Sequence, residues 1–195
     1  MLKKWIYDTT ITLQESVESW PQALEICAKP LLELQVIEPE YVTAIIQQHH
    51  ALGPYYVLAP GLAMPHARPE EGAKGLGLSL LKLKQGVSFG AGEFDPVDVI
   101  IMLAAPDKHS HIGMISSLAE LFSSDEDMEK LHQANTLEDI KTIIDRFCFN
   151  SLIRLFTTLR ASVMGRALLI KGDNNENNGY LWVWPGQQFY GRNEH

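Results

Sequence analysis

Residues 59–72 read Ala59-Pro60-Gly61-Leu62-Ala63-Met64-Pro65-His66-Ala67-Arg68-Pro69-Glu70-Glu71-Gly72. Three prolines and two glycines exclude a regular helix through this stretch. One imidazole, His66, and one guanidinium, Arg68, sit two residues apart inside it. Pro65 fixes the backbone entering His66 and restricts Met64 before it. A pre-set backbone suits an imidazole that must present one ring nitrogen to an incoming group. Neutral imidazole carries a single lone-pair nitrogen, and an unperturbed pKa near ~6.5 keeps it mostly neutral at pH 7. The bland alternative is a surface-loop histidine, and the Pro-His-x-Arg-Pro setting weighs against it.

A second cluster, Asp107-Lys108-His109-Ser110-His111, follows an apolar run that begins at Val99. In open α/β sheets, ligands gather beyond the carboxyl ends of strands. If a helix begins at Ser110, His111 falls in its first turn, where free N–H groups favour an anion such as phosphate. His109 and His111 are then ~200° apart, so one of them, not both, faces a site. A metal-dependent hydrolase using His66, His109 and His111 with Asp95 or Asp98 is the competing chemistry. It is weakly supported, because His-x-His is a loose motif and no strong Cys or Glu partner accompanies it. Asp95-Pro96-Val97-Asp98 reads better as a turn into a strand. His49-His50 reads as solvated surface at a helix end, where cationic side chains complement the dipole.

These residues need a scaffold, and the composition allows one. The chain has 195 residues, 46% hydrophobic and 21% charged, the profile of a soluble globular protein. The formal charge of -8 argues against non-specific nucleic-acid binding. Two cysteines, Cys27 and Cys148, rule out a disulfide scaffold and read as reduced thiols. The first twenty residues lack the apolar core of a signal peptide, and no stretch approaches a membrane span. The expectation is a cytoplasmic protein with no metal or other cofactor.

The elements follow from periodicity. Ser19 begins a helix with Pro21 in its first turn and an apolar face at Trp20, Leu24, Cys27 and Leu31. Pro30 is expected to kink or end it. A second helix follows Pro39, with Val42, Ile45 and Ile46 inward. Tyr55 to Leu58 is β-prone. Leu76, Leu78, Leu80 and Leu83 suggest a half-buried strand, and Val97 to Ala105 a strand buried on both faces. Ser110 heads a helix carrying Ile112, Ile115, Leu118, Leu121 and Phe122 inward. Ser124 caps a short helix with Asp125, Glu126 and Asp127 in its positive first turn. Thr136 caps a last helix with Leu137, Ile140, Ile143, Ile144 and Phe147 inward. Interleaved helices and strands predict an α/β fold, a mixed β-sheet sandwiched by α-helices in a single domain.

Texture changes near residue 147. Residues 1–147 carry eleven Lys and Arg against twenty-one Asp and Glu, whereas 148–195 carry five against three. The later part holds an Asn-rich stretch and Trp182-Val183-Trp184. Leu152, Phe156, Leu159 and Val163 have helical spacing, but Arg154, Arg160 and Arg166 lie ~120° apart and share no face. The expected organisation is one domain over 1–147 and a C-terminal extension over 148–195, partly disordered. A read-through or frameshifted 3′ end is one origin for such a tail.

The run from Gly53-Pro54-Tyr55-Tyr56 through Met64-Pro65-His66-Ala67-Arg68 to Gly72 resembles the active-site segment of enzyme IIA proteins of the bacterial phosphoenolpyruvate-dependent sugar phosphotransferase system. The likeness is to the mannitol/fructose type, most of all its ascorbate-specific branch. Asp95 to Ile100 and Ser110-His111-Ile112 through Leu121 also fit. The resemblance covers roughly residues 10–147. It implies a phosphocarrier: His66 takes a phosphoryl group from phospho-HPr and passes it to a cysteine of enzyme IIB, while a membrane enzyme IIC carries the substrate. It implies that His111 is the second active-site histidine. The mannitol-type members also use an arginine upstream of the histidine, yet no Arg or Lys lies between Lys29 and His66. Arg68 is the candidate replacement. A regulatory module that keeps the enzyme IIA fold is a third reading, although no fused DNA-binding domain is visible.

Ordering an Asn- and Gly-rich tail costs backbone entropy of ~1–2 kcal/mol per residue with little apolar surface to repay it. Truncation after Phe147 is therefore expected to leave a folded protein that accepts phosphoryl groups from phospho-HPr at a near-normal rate. Insolubility, or a sharply lower thermal midpoint, would make the tail part of the fold.

Overall fold

The computed structural model describes residues 2–107 and 112–146. Lys108 to His111 and everything from Phe147 onward lie outside the described residues. The readings of His109, the Ser110 cap, His111 and the tail fall there.

Five strands form one mixed sheet in the order β1-β4-β5-β3-β2. They are β1 (Ile11–Gln14), β2 (Val57–Ala59), β3 (Leu62–Ala63), β4 (Gly77–Val87) and β5 (Val97–Ala104). The helices are α1 (Trp20–Glu33), α2 (Pro39–Leu52), α3 (Ile112–Phe122), α4 (Asp125–Gln133) and a run over 137–146, here α5. β5 pairs antiparallel with β4 and parallel with β3. The sheet separates two apolar cores. Leu81, Leu83, Ile100 and Met102 pack with α1 and α2. Leu78, Leu80, Val99, Ile101 and Leu103 pack with α3, α4 and α5. Alternation along β4 and β5 thus feeds opposite layers, as a strand's period of two requires.

Periodicity does not anticipate β1 or β3; the other described strands and α-helices sit where it places them, with four differences in detail. α1 runs a turn past Pro30, and Leu34 N–H still donates to the Pro30 carbonyl at 3.0 Å. So near the helix end, a missing donor disrupts only the last turn. β4 is buried on both faces through Leu83, not half-buried, because helices cover each side of the sheet. Ile112 is exposed, and Met114, Leu118 and Leu121 form the inner face of α3. His49 is buried, although His50 is exposed as expected. The His49 ring stacks on Trp20 with centroids 3.8 Å apart, and its Nδ1 meets the Tyr56 hydroxyl at 2.8 Å. Desolvation holds its pKa below the ordinary value, and neighbouring His50 adds to this. Position 49 continues the inner stripe of Val42 and Ile45. Cys27 is a buried free thiol, which burial pushes up to about 11.

Ser124 and Thr136 cap as read, whereas Ser19, the N-cap candidate of α1, stands at that position without a side-chain capping bond. Ser124 Oγ accepts the Asp127 N–H, and Thr136 exchanges hydrogen bonds with Asp139 at 3.1 and 2.9 Å. At the entry to β5, Asp95 closes a turn by accepting from Ser88 Oγ and from the N–H groups of Phe89 and Ala91. Burial raises its pKa, but these hydrogen bonds outweigh that and hold the carboxyl below its usual value.

A charged cluster fixes the start of β5. The N–H groups of Asp98 and Val99 both donate to the Gly61 carbonyl, at 3.1 and 3.0 Å, so two residues oppose one in a bulge. Asp98 meets Lys82 Nζ at 2.8 Å and His132 Nδ1 at 2.7 Å. Lys82 is buried and also donates to the Leu83 carbonyl at 2.7 Å. Gly61 has φ +75°, and a Cβ there would lie 2.7 Å from Asp98 Oδ1 and 2.8 Å from His132 Cε1. Only glycine fits both the backbone and the space.

Removing one partner of a buried ion pair strands the other charge. Asp98→Ala is expected to lower the unfolding free energy by about 3–5 kcal/mol in urea titration. A loss below about 1 kcal/mol would mean that Lys82 finds water or another acceptor at little cost.

Candidate functional site

The His66 loop leaves the sheet at the carboxyl end of β3. Parallel pairing of Leu62 with Val99 and Ala63 with Ile100 puts the carboxyl end of β5 at the same side of the sheet. Residues 64–68 form neither helix nor strand, so their peptide groups need other partners. Met64 N–H donates to the Tyr56 carbonyl at 2.8 Å, and the Pro65 carbonyl accepts from Leu103 N–H at 3.1 Å. Tyr41, fully buried on α2, accepts from Ala67 N–H at 3.0 Å and donates to the Leu103 carbonyl at 2.7 Å. The Arg68 N–H donates to Glu71 Oε2 at 2.7 Å.

His66 is half-buried, and its Nδ1 lies 2.9 Å from the Met64 carbonyl. A carbonyl only accepts, so Nδ1 carries the proton of this bond. The neutral ring then has its lone pair on Nε2. Arg68, two residues on, is exposed with extended backbone, φ -71° and ψ 153°. Pro69–Glu71 form a short 3-10 turn that ends the loop.

The structure brings His66 and Arg68 together on one loop and keeps the carboxylates away. Asp95 is occupied by its turn and Asp98 by Lys82 and His132. Asp98 lies five residues back along β5 from Leu103, or ~16 Å at the rise of a strand. Among the described residues no group of three His, Cys, Asp or Glu side chains is placed to hold a metal ion. The hydrolase constellation therefore loses its carboxylates. Also among the described residues, no helix is long and apolar enough to cross a membrane.

Sequence reading did not find the side chains that hold the loop. Tyr41, Gln48, Tyr55 and Glu71 all contact it or each other. Tyr41 lies on the inner stripe of α2, which was a usable signal for burial but not for its partner 26 residues away.

Comparison with known proteins gives the family of the chain. Residues 5–147 match the family model described as "Phosphoenolpyruvate-dependent sugar phosphotransferase system, EIIA 2". The chain belongs to this family of enzyme IIA phosphotransferase components, which carry the phosphoryl group on histidine. Over 139 residues it is 41% identical to the ascorbate-specific PTS system EIIA component of Escherichia coli K12, covering 70% of this chain and 90% of the relative. The corresponding component of Salmonella typhimurium is 39% identical over 141 residues, 71% of this chain and 91% of the relative. Among solved structures, the mannitol-specific cryptic phosphotransferase enzyme IIA CmtB of Escherichia coli superposes with TM-score 0.70 at 40% identity, covering 74% of this chain and 98% of that one. The fold is also that of the IIA partner in a complex of enzyme IIA and phosphorylated enzyme IIB for mannitol from Escherichia coli. That likeness has TM-score 0.62 at 23% identity and covers 72% of this chain and 96% of the other.

Proposed function

We propose that His66 Nε2 accepts the phosphoryl group from phospho-HPr and delivers it to a cysteine of a cognate enzyme IIB, in a system that takes up and phosphorylates ascorbate or a related sugar. The observation that carries this reading is the Nδ1–Met64 carbonyl bond, which commits the lone pair to the other ring nitrogen. In the first transfer Nε2 attacks phosphorus, the donor's N–P bond breaks, and its electron pair returns to the donor imidazole. His66 is then a phosphoimidazolium, still protonated at Nδ1. The Met64 carbonyl faces that positive ring with its negative pole. In the second transfer a thiolate attacks phosphorus and the Nε2–P bond breaks. No proton has to enter or leave His66 in either step.

Phosphoryl transfer asks a protein mainly for positioning and for stabilisation of the oxygens. Arg68 is the cation nearest in sequence to His66 and projects into solvent, where a partner's phosphohistidine arrives. His111 is assigned the second supporting role. The segment that contains it continues from the β5 end bonded to the His66 loop and precedes α3. Substrate choice follows the ascorbate-specific relatives, and the setting is cytoplasmic, where HPr and enzyme IIB meet the carrier.

The test is incubation with phosphoenolpyruvate, enzyme I and HPr, read by intact mass. Wild type is expected to gain one acid-labile phosphoryl group and His66→Ala none; undiminished labelling of His66→Ala would sink the assignment. His111→Ala is expected to fold normally and transfer ~10²–10³-fold more slowly, the usual cost of losing one donor to developing charge. Unchanged forward and reverse rates would make His111 a bystander.

A further inference from the structure

The side chains on the α2 side of the His66 loop form a chain of their own. The Gln48 amide nitrogen lies 3.0 and 2.9 Å from the two carboxylate oxygens of Glu71. The Gln48 amide oxygen accepts the Tyr55 hydroxyl at 2.7 Å. The same hydroxyl lies 3.1 Å from the His66 carbonyl. The Tyr55 ring meets the imidazole edge-on, with centroids 6.0 Å apart and planes at 79°. Glu71 also takes the Arg68 N–H, so one carboxylate is tied to both sides of the loop.

The direction of the bonds from Glu71 to Tyr55 is determined, and the single phenol proton is shared between the Gln48 amide oxygen and the more distant His66 carbonyl. An ionised carboxylate only accepts, so the Gln48 nitrogen must face it. The amide oxygen then faces Tyr55, and the phenol must donate. Burial, reinforced by the charge of Glu71, pushes the Tyr55 phenol up to about 12, so it stays a donor throughout the physiological range. Between Lys29 and His66 there is no basic side chain but histidine, and the α2 residue that reaches the loop network through its side-chain amide is this neutral glutamine.

We propose that Gln48 and Tyr55 are positioning residues for phosphoryl transfer, a Glu71–Gln48–Tyr55 chain that holds the His66 peptide and ring so that Nε2 faces the incoming phosphoryl group. The proposal rests on the phosphocarrier reading above. Its substituents touch the His66 main chain and ring edge, not the phosphoryl group, so its loss should slow transfer without weakening partner binding.

Two full-length variants test it, with phospho-HPr as donor. Tyr55→Phe keeps the ring and removes the hydroxyl. Its transfer rate constant is expected to fall ~10–100-fold, with KM for phospho-HPr within about two-fold of wild type. Gln48→Glu sets a second carboxyl against Glu71. With both ionised they repel; with one shared proton, the acid O–H donates to Glu71 and its carbonyl accepts from Tyr55, as the amide did. A shared proton is bound more tightly than by a lone carboxyl, so the variant-to-wild-type rate ratio is expected to rise as pH falls from about 8 to 6. A wild-type rate in Tyr55→Phe, or a ratio flat with pH in a folded Gln48→Glu, overturns the proposal and leaves the phosphocarrier reading standing. If Gln48→Glu does not fold, the Tyr55→Phe rate decides alone. A wild-type protein that accepts no phosphoryl group at all overturns both.

Discussion

The hydroxyl of Tyr41 carries the constraint on which the site depends. The loop around His66 contains Pro65 and Pro69, which have no N–H to give, and it runs outside any sheet ladder. Its peptide groups still need partners. Tyr41 answers from α2, accepting Ala67 N–H and donating to the Leu103 carbonyl. Leu103 N–H returns a bond to the Pro65 carbonyl. Three segments distant in sequence therefore meet at one buried oxygen. Burial pushes the phenol far above its ordinary pKa, with the charge of Glu71 a minor addition, so the donor is never lost to ionisation. The position of the imidazole is thus a consequence of helix, loop and strand being bonded at the same point.

The opposite end of β5 imposes a matching constraint. β3 is only two residues long, too short to fix its own register by side-chain pattern. The Gly61 carbonyl, taking two N–H groups from β5, and Gly61 N–H, donating to the Phe94 carbonyl at 2.9 Å, fix it instead. The bulge turns Asp98 toward Lys82 and His132. A buried ion pair adds little net stability compared with an apolar replacement. Here it specifies which residues stand opposite each other. That register determines where β3 releases the chain, and so where Met64 and His66 emerge.

The parts of this architecture legible in the sequence are those written in local periodicity and capping. β5 announces itself by its apolar run from Val99 onward, and Ser124 and Thr136 mark helix starts that the structure keeps. The Pro-His-x-Arg-Pro stretch stood out because its composition excludes regular structure. β1 gave no signal, since Ile11 to Gln14 are only partly covered and pair along one edge. The burial of His49 was misread because a histidine at a helix end has an electrostatic explanation that needs no partner. Its partners, Trp20 and Tyr56, are set by tertiary packing. The bonds from Tyr41 to residues 67 and 103 span 26 and 62 positions, and no spacing rule reaches that far.

Electrostatics give the last step. The first 147 residues carry a large acidic excess, yet the chemistry concerns a dianionic group. Two carboxylates, Glu70 and Glu71, directly follow the His66 loop, and both oxygens of Glu71 are engaged by Gln48, one also by Arg68 N–H. Hydrogen bonds of this kind spread a carboxylate's charge and hold it in place. Its acceptor capacity is directed into the loop's own framework. Arg68 gives its main-chain N–H to that framework and leaves its guanidinium in solvent. On the proposed reading one residue serves both needs: its N–H bonds Glu71 within the loop, and its exposed side chain would supply positive charge two positions from the imidazole. Replacing it with lysine would preserve the first contribution and most of the charge, but not the planar fork that matches two phosphoryl oxygens at once.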